Sequence, residues 1–165
     1  MKLNPSLFSS AMTPADLAVV QRTLAVLTEQ SGHATHVFYT RLFEYDPALK
    51  HRCPRDVHSR TTVLLDTLGE IVESLRSPGE TAPQLQYWAT MYPEYARNNF
   101  YHLYFGAAVF SMLEEVLGNT FAAPVYAAWY KVYELTVRQL KAAVTSSGVS
   151  VPATSQHTFA HATAA

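Results

Sequence analysis

The sequence predicts an all-α fold, and three observations support this. Apolar residues recur at helical spacing in several segments, prolines and small polar residues separate those segments, and no segment shows a convincing strand pattern. The 165 residues are about the length of one domain, and 48% of them are hydrophobic, which is enough for one buried core. We expect an N-terminal extension over residues 1–12, one helical domain over 13–144, and a disordered tail over 145–165, because the tail is small, polar and aperiodic.

The first predicted helix begins after Thr13, whose side chain can cap it. Pro14 suits the first helical position, and Asp16 is favoured by the positive end of the helix dipole. The apolar residues that follow recur at helical spacing and predict one buried face: Leu17, Val20, Leu24 and Leu27.

Two further helices are predicted in the first half of the chain. Ser31-Gly32 interrupts the first pattern, and a second helix is expected from about His33 to Tyr45, ending at Asp46-Pro47. Residues 48–55 are expected to be irregular. Asp56 can cap a third helix, whose apolar residues predict one buried face: Val57, Leu64, Leu65, Leu68, Ile71, Val72 and Leu75.

The second half predicts one weak helix and two long ones, which gives six to seven helices in all. The weak helix runs from about Pro83 to Met91 and stops before Pro93. A long helix is expected from Asn98 or Asn99 to Leu117, with Gly118-Asn119 as its stop. The last helix starts at Pro124, reaches about Val144 and turns a mainly apolar set inward: Trp129, Val132, Tyr133, Val137 and Leu140.

Charge and cysteine content exclude several classes of function. Only 15% of the residues are charged and the formal net charge is -1, so we expect no nucleic-acid partner and no membrane partner. The single cysteine, Cys53, excludes an internal disulfide and a zinc site with several cysteines. No apolar run approaches the roughly 18 residues that a membrane span needs, and a cytoplasmic protein is expected.

Aromatic residues are unusually abundant. The chain has ten tyrosines and eight phenylalanines, and many of them lie between Tyr87 and Phe110. Such a cluster can pack a core or line the pocket of a flat ligand, and the composition leaves both alternatives open.

Five segments in order resemble the bacterial single-domain haemoglobins and the globin domain of flavohaemoglobins. They are MTPADLAVVQRT, FYTRLFEYDPALK, VLLDTLGEIVESL, GAAVFSMLEEVLGNTF and APVYAAWYKVYEL, and they span roughly residues 12–144. The resemblance implies a globin-like fold with haem b between the third long helix and the weak helix. It also implies that a small diatomic ligand, such as oxygen or nitric oxide, binds on one side of the haem.

The resemblance assigns four residues to the haem pocket, three of them on the ligand side. Tyr39 matches the tyrosine that donates to the iron-bound ligand, and Leu64 matches an apolar residue over the iron. Arg60 stands where relatives carry glutamine or histidine, and it can donate to an anion or to a haem propionate. Cys53 replaces the phenylalanine that packs on the haem in the family. For each of Tyr39, Cys53 and Arg60 a purely structural or solvated role remains the alternative.

On the iron side this sequence departs from the family. Tyr92 stands where relatives carry the iron-binding histidine, and His102 stands where they carry a neighbouring tyrosine. Tyrosinate ligates haem in catalases, and a ferric ion together with a histidine hydrogen bond favours the phenolate form. We therefore expect Tyr92 to bind ferric haem and His102 to tune it, in a binding, sensing or redox role rather than oxygen storage.

The sequence is also compatible with two other functions. The loss of the usual histidine and of the stacking phenylalanine also suits a haem-free sensor or interaction module, with a small apolar ligand or none, that forms a homodimer through its last two helices. A third hypothesis is a peroxidase-like or oxygenase-like haem enzyme with Tyr39 and Arg60 on the ligand side of the haem. Against this hypothesis, no histidine is expected on that side to move the proton. His33, His36 and His58 are expected at the surface.

Overall fold

The computed structural model of the protein describes residues 11–53, 55–76, 86 and 99–146, except for the side chains of 99–102, 144 and 146. Within this part of the chain 88% of the residues are helical and none lies in a strand, which confirms the all-α class. It contains five α-helices: α1 (Pro14–Glu29), α2 (Ser31–Tyr45), α3 (Val57–Ser74), α4 (Asn99–Leu117) and α5 (Ala123–Ser146). Two 3-10 helices accompany them, Pro47–His51 and Gly118–Thr120.

The start of α1 is held by the predicted cap. Thr13 Oγ1 accepts a hydrogen bond from the Asp16 backbone N–H at 3.1 Å. The Asp16 carboxylate in turn accepts one from the Thr13 backbone N–H at 3.0 Å. This reciprocal capping box confirms the predicted boundary, with Pro14 at the first helical position.

The junction between α1 and α2 differs from the prediction. Ser31 and Gly32 belong to α2, which therefore starts two residues before His33. One residue, Gln30, makes the break: its N–H bonds to Val26 of α1, and its carbonyl accepts from Ala34 of α2. A single non-helical residue is enough to turn the chain, so Ser31 and Gly32 do not form a loop between the two helices.

The segment after α2 also differs from the prediction. Residues 48–55 were expected to be irregular, but Pro47–His51 forms a 3-10 helix. The Asp46 side chain accepts from the Ala48 N–H at 3.0 Å, and Pro47 occupies the first turn. Asp46-Pro47 thus ends one helix and begins the next turn. The buried side chain of Leu49 anchors this turn to the core.

Asp56 caps α3 as predicted, because its carboxylate accepts from the Ser59 N–H at 2.8 Å. Four of the seven predicted inward residues are fully buried: Leu64, Leu68, Ile71 and Val72. Val57 was assigned wrongly to this face, since it is 64% exposed. It occupies the first position of the helix, before α3 has turned toward the core.

The last two long helices match their predicted limits closely. Asn99 and Leu117 bound α4, and Gly118 follows with a φ of 50°, in the left-handed region that favours glycine. α5 begins one residue before Pro124 and extends to Ser146, two residues beyond the predicted end. Of the predicted inward residues, Trp129 and Val132 are fully buried and Tyr133, Val137 and Leu140 are half-buried.

The core lies between two helix pairs, in which α2 packs mainly on α4 and α1 packs mainly on α5. α3 contacts α1, α2 and α5. None of the described helices is both long and apolar enough to cross a membrane.

Part of the predicted architecture lies outside the described residues. The weak helix of 83–91 is represented only by Gln86, which is helical and exposed. Tyr92 and the N-terminal residues 1–10 lie outside the described part, as do residues 147–165 of the predicted tail.

Candidate functional site

The candidate site lies where α2 crosses the first turns of α3. The Thr35 hydroxyl on α2 donates to Thr61 Oγ1 on α3 at 3.0 Å, and Thr61 donates to the Val57 carbonyl at 2.9 Å. One turn further along α2, the Tyr39 hydroxyl donates to the backbone carbonyl of Arg60 at 3.4 Å. These contacts fix the register of the two helices.

Tyr39 is buried deeply, with 6% of its surface exposed. Its ring meets the edge of Phe38 at a centroid distance of 5.1 Å and lies 5.6 Å from the ring of Phe43. Phe43 follows Tyr39 by one helical turn, so both rings lie on the same face of α2. The hydroxyl therefore sits in a mainly aromatic environment.

The Arg60 guanidinium lies over this aromatic face. Its central carbon is 5.3 Å from the centroid of the Tyr39 ring and 5.1 Å from that of Phe43. The ammonium of Lys50, from the 3-10 helix, lies 5.9 Å from the same Phe43 ring. All three distances are within the range of favourable cation–π contacts. Phe43 thus links the cation of α3 to the cation of the preceding turn.

Cys53 completes the cluster from the segment between the 3-10 helix and α3. It is half-buried, and it interacts electrostatically with both Tyr39 and Arg60. Burial raises the pKa of the Cys53 thiol, while the positive charge of Arg60 acts in the opposite direction. Burial also raises the pKa of Tyr39 strongly, and the proximity of Cys53 adds to this, against the effect of Arg60.

The chemistry of the cluster follows from these protonation states. At neutral pH the phenol and the thiol keep their protons and the guanidinium is charged, so all three side chains offer hydrogen-bond donors. A group of donors around one positive charge suits an anionic or oxygen-bearing ligand. Leu64, one turn after Arg60 on α3, is 2% exposed and contributes an apolar contact of the core.

The structure therefore brings three of the six predicted site residues into one cluster: Tyr39, Cys53 and Arg60. Leu64 lies on the same helix as Arg60, within the core cluster. Tyr92 lies outside the described residues, and so does the side chain of His102, whose backbone belongs to α4.

Two residues of the cluster were not predicted as site residues, Phe43 and Lys50. The signal for Phe43 was its spacing of four residues from Tyr39 on a predicted helix. Lys50 gave no such signal, because its position depends on the 3-10 turn.

The surface histidines behave as expected. His33, His36 and His58 are exposed, and His33 lies 3.9 Å from Glu115. Within the described part of the chain, no group of three or more histidine, cysteine, aspartate or glutamate side chains is arranged to hold a metal ion.

No protein-family model matches the sequence, and a search of curated proteins finds no match either.

Proposed function

We propose that this chain is a globin-like ligand-binding protein that holds ferric haem b through Tyr92. The observation that supports it is the convergence of Tyr39, Cys53 and Arg60 at one place. The globin resemblance assigns these residues to the haem pocket, although Tyr39 and Arg60 lie 21 residues apart in the chain. Their meeting between α2 and α3 is what such an assignment requires.

The chemistry of the cluster suits this cofactor. A haem carries two propionates, and an arginine at the edge of an aromatic cluster can pair with one of them. The porphyrin supplies four nitrogen ligands to the iron, so a single protein side chain suffices to hold it. A haem site thus needs no group of three metal-binding side chains among the described residues.

The iron side of the proposal rests on the sequence. Tyr92 occupies the position of the family's iron ligand, and His102 follows ten residues later with a ring nitrogen able to donate to a phenolate. An anionic oxygen ligand stabilises ferric over ferrous iron. The proposed role is therefore binding, sensing or redox chemistry rather than oxygen storage.

The visible absorption spectrum of the purified protein, before and after addition of haemin, tests the proposal. We expect a sharp Soret band and a high-spin ferric charge-transfer band in the wild type. Tyr92→Phe should lose or shift both bands while its circular dichroism stays helical. Tyr130→Phe is the matched control, because it removes the hydroxyl of an exposed tyrosine on α5, and it should keep the wild-type spectrum. Absence of a saturable Soret change in the wild type contradicts the proposal.

One observation favours a second candidate, a haem-free interaction module that forms a homodimer. Tyr126 and Tyr130 on α5 are 49% and 43% exposed and stack with ring centroids 6.1 Å apart. Tyr126 also lies 5.1 Å from the ring of Phe110 on α4. An exposed aromatic surface across the last two helices is the type of surface that a protein partner covers.

The mass of the protein in solution tests this candidate. We expect a dimer by sedimentation that Tyr126→Glu converts to a monomer. Tyr45→Glu, which changes an exposed tyrosine at the end of α2, should leave the dimer intact. A monomeric wild type excludes the dimer. A colourless dimer whose spectrum shows no saturable change on addition of haemin favours this candidate over the first.

A further inference from the structure

Two tyrosine rings stack where α2 ends and α4 begins. The rings of Tyr45 and Tyr104 are almost parallel, with an interplanar angle of 4° and centroids 5.7 Å apart. This spacing is within the range of offset-stacked aromatic pairs. The two residues are far apart in the chain, so the fold rather than the local sequence brings them together. Neither residue belongs to the candidate site.

The contact between α2 and α4 holds the pair in this position. The ring of Phe105, next to Tyr104 in the chain, meets the ring of Phe38 on α2 edge to face, with centroids 5.2 Å apart. Phe38 is 2% exposed, so this contact lies in the core. At the opposite end of the helix pair, His33 near the start of α2 lies 3.9 Å from Glu115 near the end of α4. The two helices are thus antiparallel, and the end of α2 lies next to the start of α4.

The two stacked rings differ in their exposure to solvent. Tyr45 is 42% exposed, whereas Tyr104 is half-buried. An oxidant in solution therefore reaches Tyr45, and the stacked ring of Tyr104 can pass an electron to the oxidised Tyr45. Because Tyr104 is partly covered, a radical on this ring meets Tyr45 before it meets another molecule. This arrangement favours coupling within one chain over coupling between chains.

We propose that Tyr45 and Tyr104 are a site of oxidative cross-linking, at which a peroxide and a peroxidase join the two rings as dityrosine. Each phenol gives up one electron and its hydroxyl proton and becomes a phenoxyl radical. The two radicals form a carbon–carbon bond between ring carbons next to the hydroxyl-bearing carbons, and the hydrogens of the bonded carbons move to the oxygens. Hydrogen peroxide takes up the two electrons and two protons and becomes two molecules of water. The protein thus loses two hydrogen atoms, and both hydroxyls are restored.

The cross-link closes a covalent ring that includes the candidate site. The segment between the two tyrosines contains α3, Cys53 and Arg60. A covalent bond between the ends of such a segment lowers the conformational entropy of the unfolded chain, as a disulfide does. Cross-linking therefore ties α2 to α4 and makes the stability of this region depend on exposure to peroxide.

A second stacked pair, Tyr126 and Tyr130, provides a comparison within the same protein. Their ring centroids are 6.1 Å apart and the interplanar angle is 15°. Both residues lie on α5, so a bond between them would not connect two helices. They are 49% and 43% exposed, which leaves both rings open to other chains. We therefore expect oxidation of this pair to join separate molecules.

Oxidation of dilute protein, without added haemin, by hydrogen peroxide and a catalytic amount of an added peroxidase tests the inference. The readouts are dityrosine fluorescence, the mass of the intact chain and the sequences of linked peptides after proteolysis. We expect a monomer that has lost two hydrogens and contains a bond between Tyr45 and Tyr104. Its yield should not depend on protein concentration. Oxidation of Cys53 or of a methionine adds oxygen instead, so the mass separates these products.

Three variants locate the bond. Tyr45→Phe and Tyr104→Phe each keep the stacked ring but remove the hydroxyl from which the radical forms, and we expect each variant to lose the intramolecular product. Tyr130→Phe removes one hydroxyl of the comparison pair and should keep the wild-type yield. Circular dichroism should show the same helix content in all four proteins, because each substitution keeps the ring.

Thermal unfolding tests the consequence of the bond. We expect the cross-linked wild type to unfold at a temperature higher by roughly 10 °C than the untreated protein. Tyr45→Phe, treated in the same way, should show no such shift.

Four results would overturn the inference. They are the absence of a bond between Tyr45 and Tyr104, a product that forms only between chains, a loss of product in Tyr130→Phe as large as in Tyr45→Phe, and an unfolding temperature that cross-linking leaves unchanged. Because this assay needs neither haemin nor a dimer, its failure is distinguishable from failure of either proposed function.

Discussion

The α1–α5 contact and the α2–α3 contact both bury a polar aromatic side chain, but the hydrogen bonding of that side chain differs between them. In the first, Trp129 is 2% exposed and its indole N–H donates to Thr23 Oγ1 at 2.9 Å. The Thr23 hydroxyl then donates to the Val19 and Val20 carbonyls at 2.9 and 3.0 Å. In the second, the buried Tyr39 hydroxyl reaches the Arg60 carbonyl only at 3.4 Å.

The charged groups show the same contrast. Lys131 on α5 donates to the Asp16 carboxylate at 2.7 Å, so a cation meets its anion directly. Arg60 lies instead over two aromatic rings. The α1–α5 contact thus joins a cation to a carboxylate at hydrogen-bond distance, whereas at the α2–α3 site the cation packs on aromatic rings.

The largest expected effect is the loss of Trp129. We expect Trp129→Ala to lower the free energy of unfolding by about 3–5 kcal/mol, since it leaves a large cavity between α1 and α5. Urea unfolding followed by circular dichroism measures the change. Tyr126→Ala on the same helix is the control, and its exposed ring should contribute less than about 1 kcal/mol. Equal losses in both variants would mean that Trp129 is not the centre of the core.

Removing one hydroxyl from each region compares them directly. Thr23→Val leaves the buried Trp129 N–H without its acceptor, and we expect the free energy of unfolding to fall by roughly 1–3 kcal/mol. Tyr39→Phe removes a long hydrogen bond and should cost less than about 1 kcal/mol. The same urea experiment measures both. A larger loss of unfolding free energy for Tyr39→Phe than for Thr23→Val would contradict this comparison, because it would mean that the Tyr39 hydroxyl makes the more stabilising hydrogen bond.

The ion pair of the α1–α5 contact predicts a dependence on pH. Burial raises the pKa of Asp16, but the hydrogen bonds from Lys131 and Thr13 lower it more, so its net pKa lies below the usual value. The carboxylate therefore stabilises the fold fully above the unfolded pKa of about 3.9, and this contribution disappears as the pH falls through the folded value. Asp16→Asn should cost about 1–2 kcal/mol near neutral pH and little in acid. A difference between the two proteins that stays constant as the pH falls would contradict the ion pair.

The smallest expected effect is on the reactivity of Cys53. Its pKa is raised by burial and lowered by the charge of Arg60, so Arg60→Gln should raise the pKa further and reduce the thiolate fraction. We expect alkylation by iodoacetamide at mildly alkaline pH to slow by roughly two- to fivefold. Arg22→Gln, on the exposed side of α1, should leave the rate unchanged. An unchanged alkylation rate in Arg60→Gln would mean that the charge of Arg60 does not act on the Cys53 thiol.

Local signals in the sequence predicted the helix boundaries well. The Thr13 cap, the Asp56 cap and the Gly118 stop each depend on a few neighbouring residues, and all three are confirmed. The 3-10 helix Pro47–His51 was missed because Asp46-Pro47 serves both as a stop and as a start.

The candidate site depends on longer-range structure. Tyr39, Cys53 and Arg60 were predicted from the globin resemblance, and their meeting is seen in the fold, while their role stays a prediction. The bond between Trp129 and Thr23 joins residues 106 positions apart, and no local pattern signals it.

That pairing of α1 with α5 also affects how the protein emerges from the ribosome. The apolar face of α1, including Val20 and Leu27, is synthesised before α2, α3 and α4, and its main partner α5 follows them. The nascent chain therefore carries this face without its main partner until α5 has been made, which exposes it to aggregation and to chaperones. Release of a chain truncated before Trp129 would leave that face without its cover permanently.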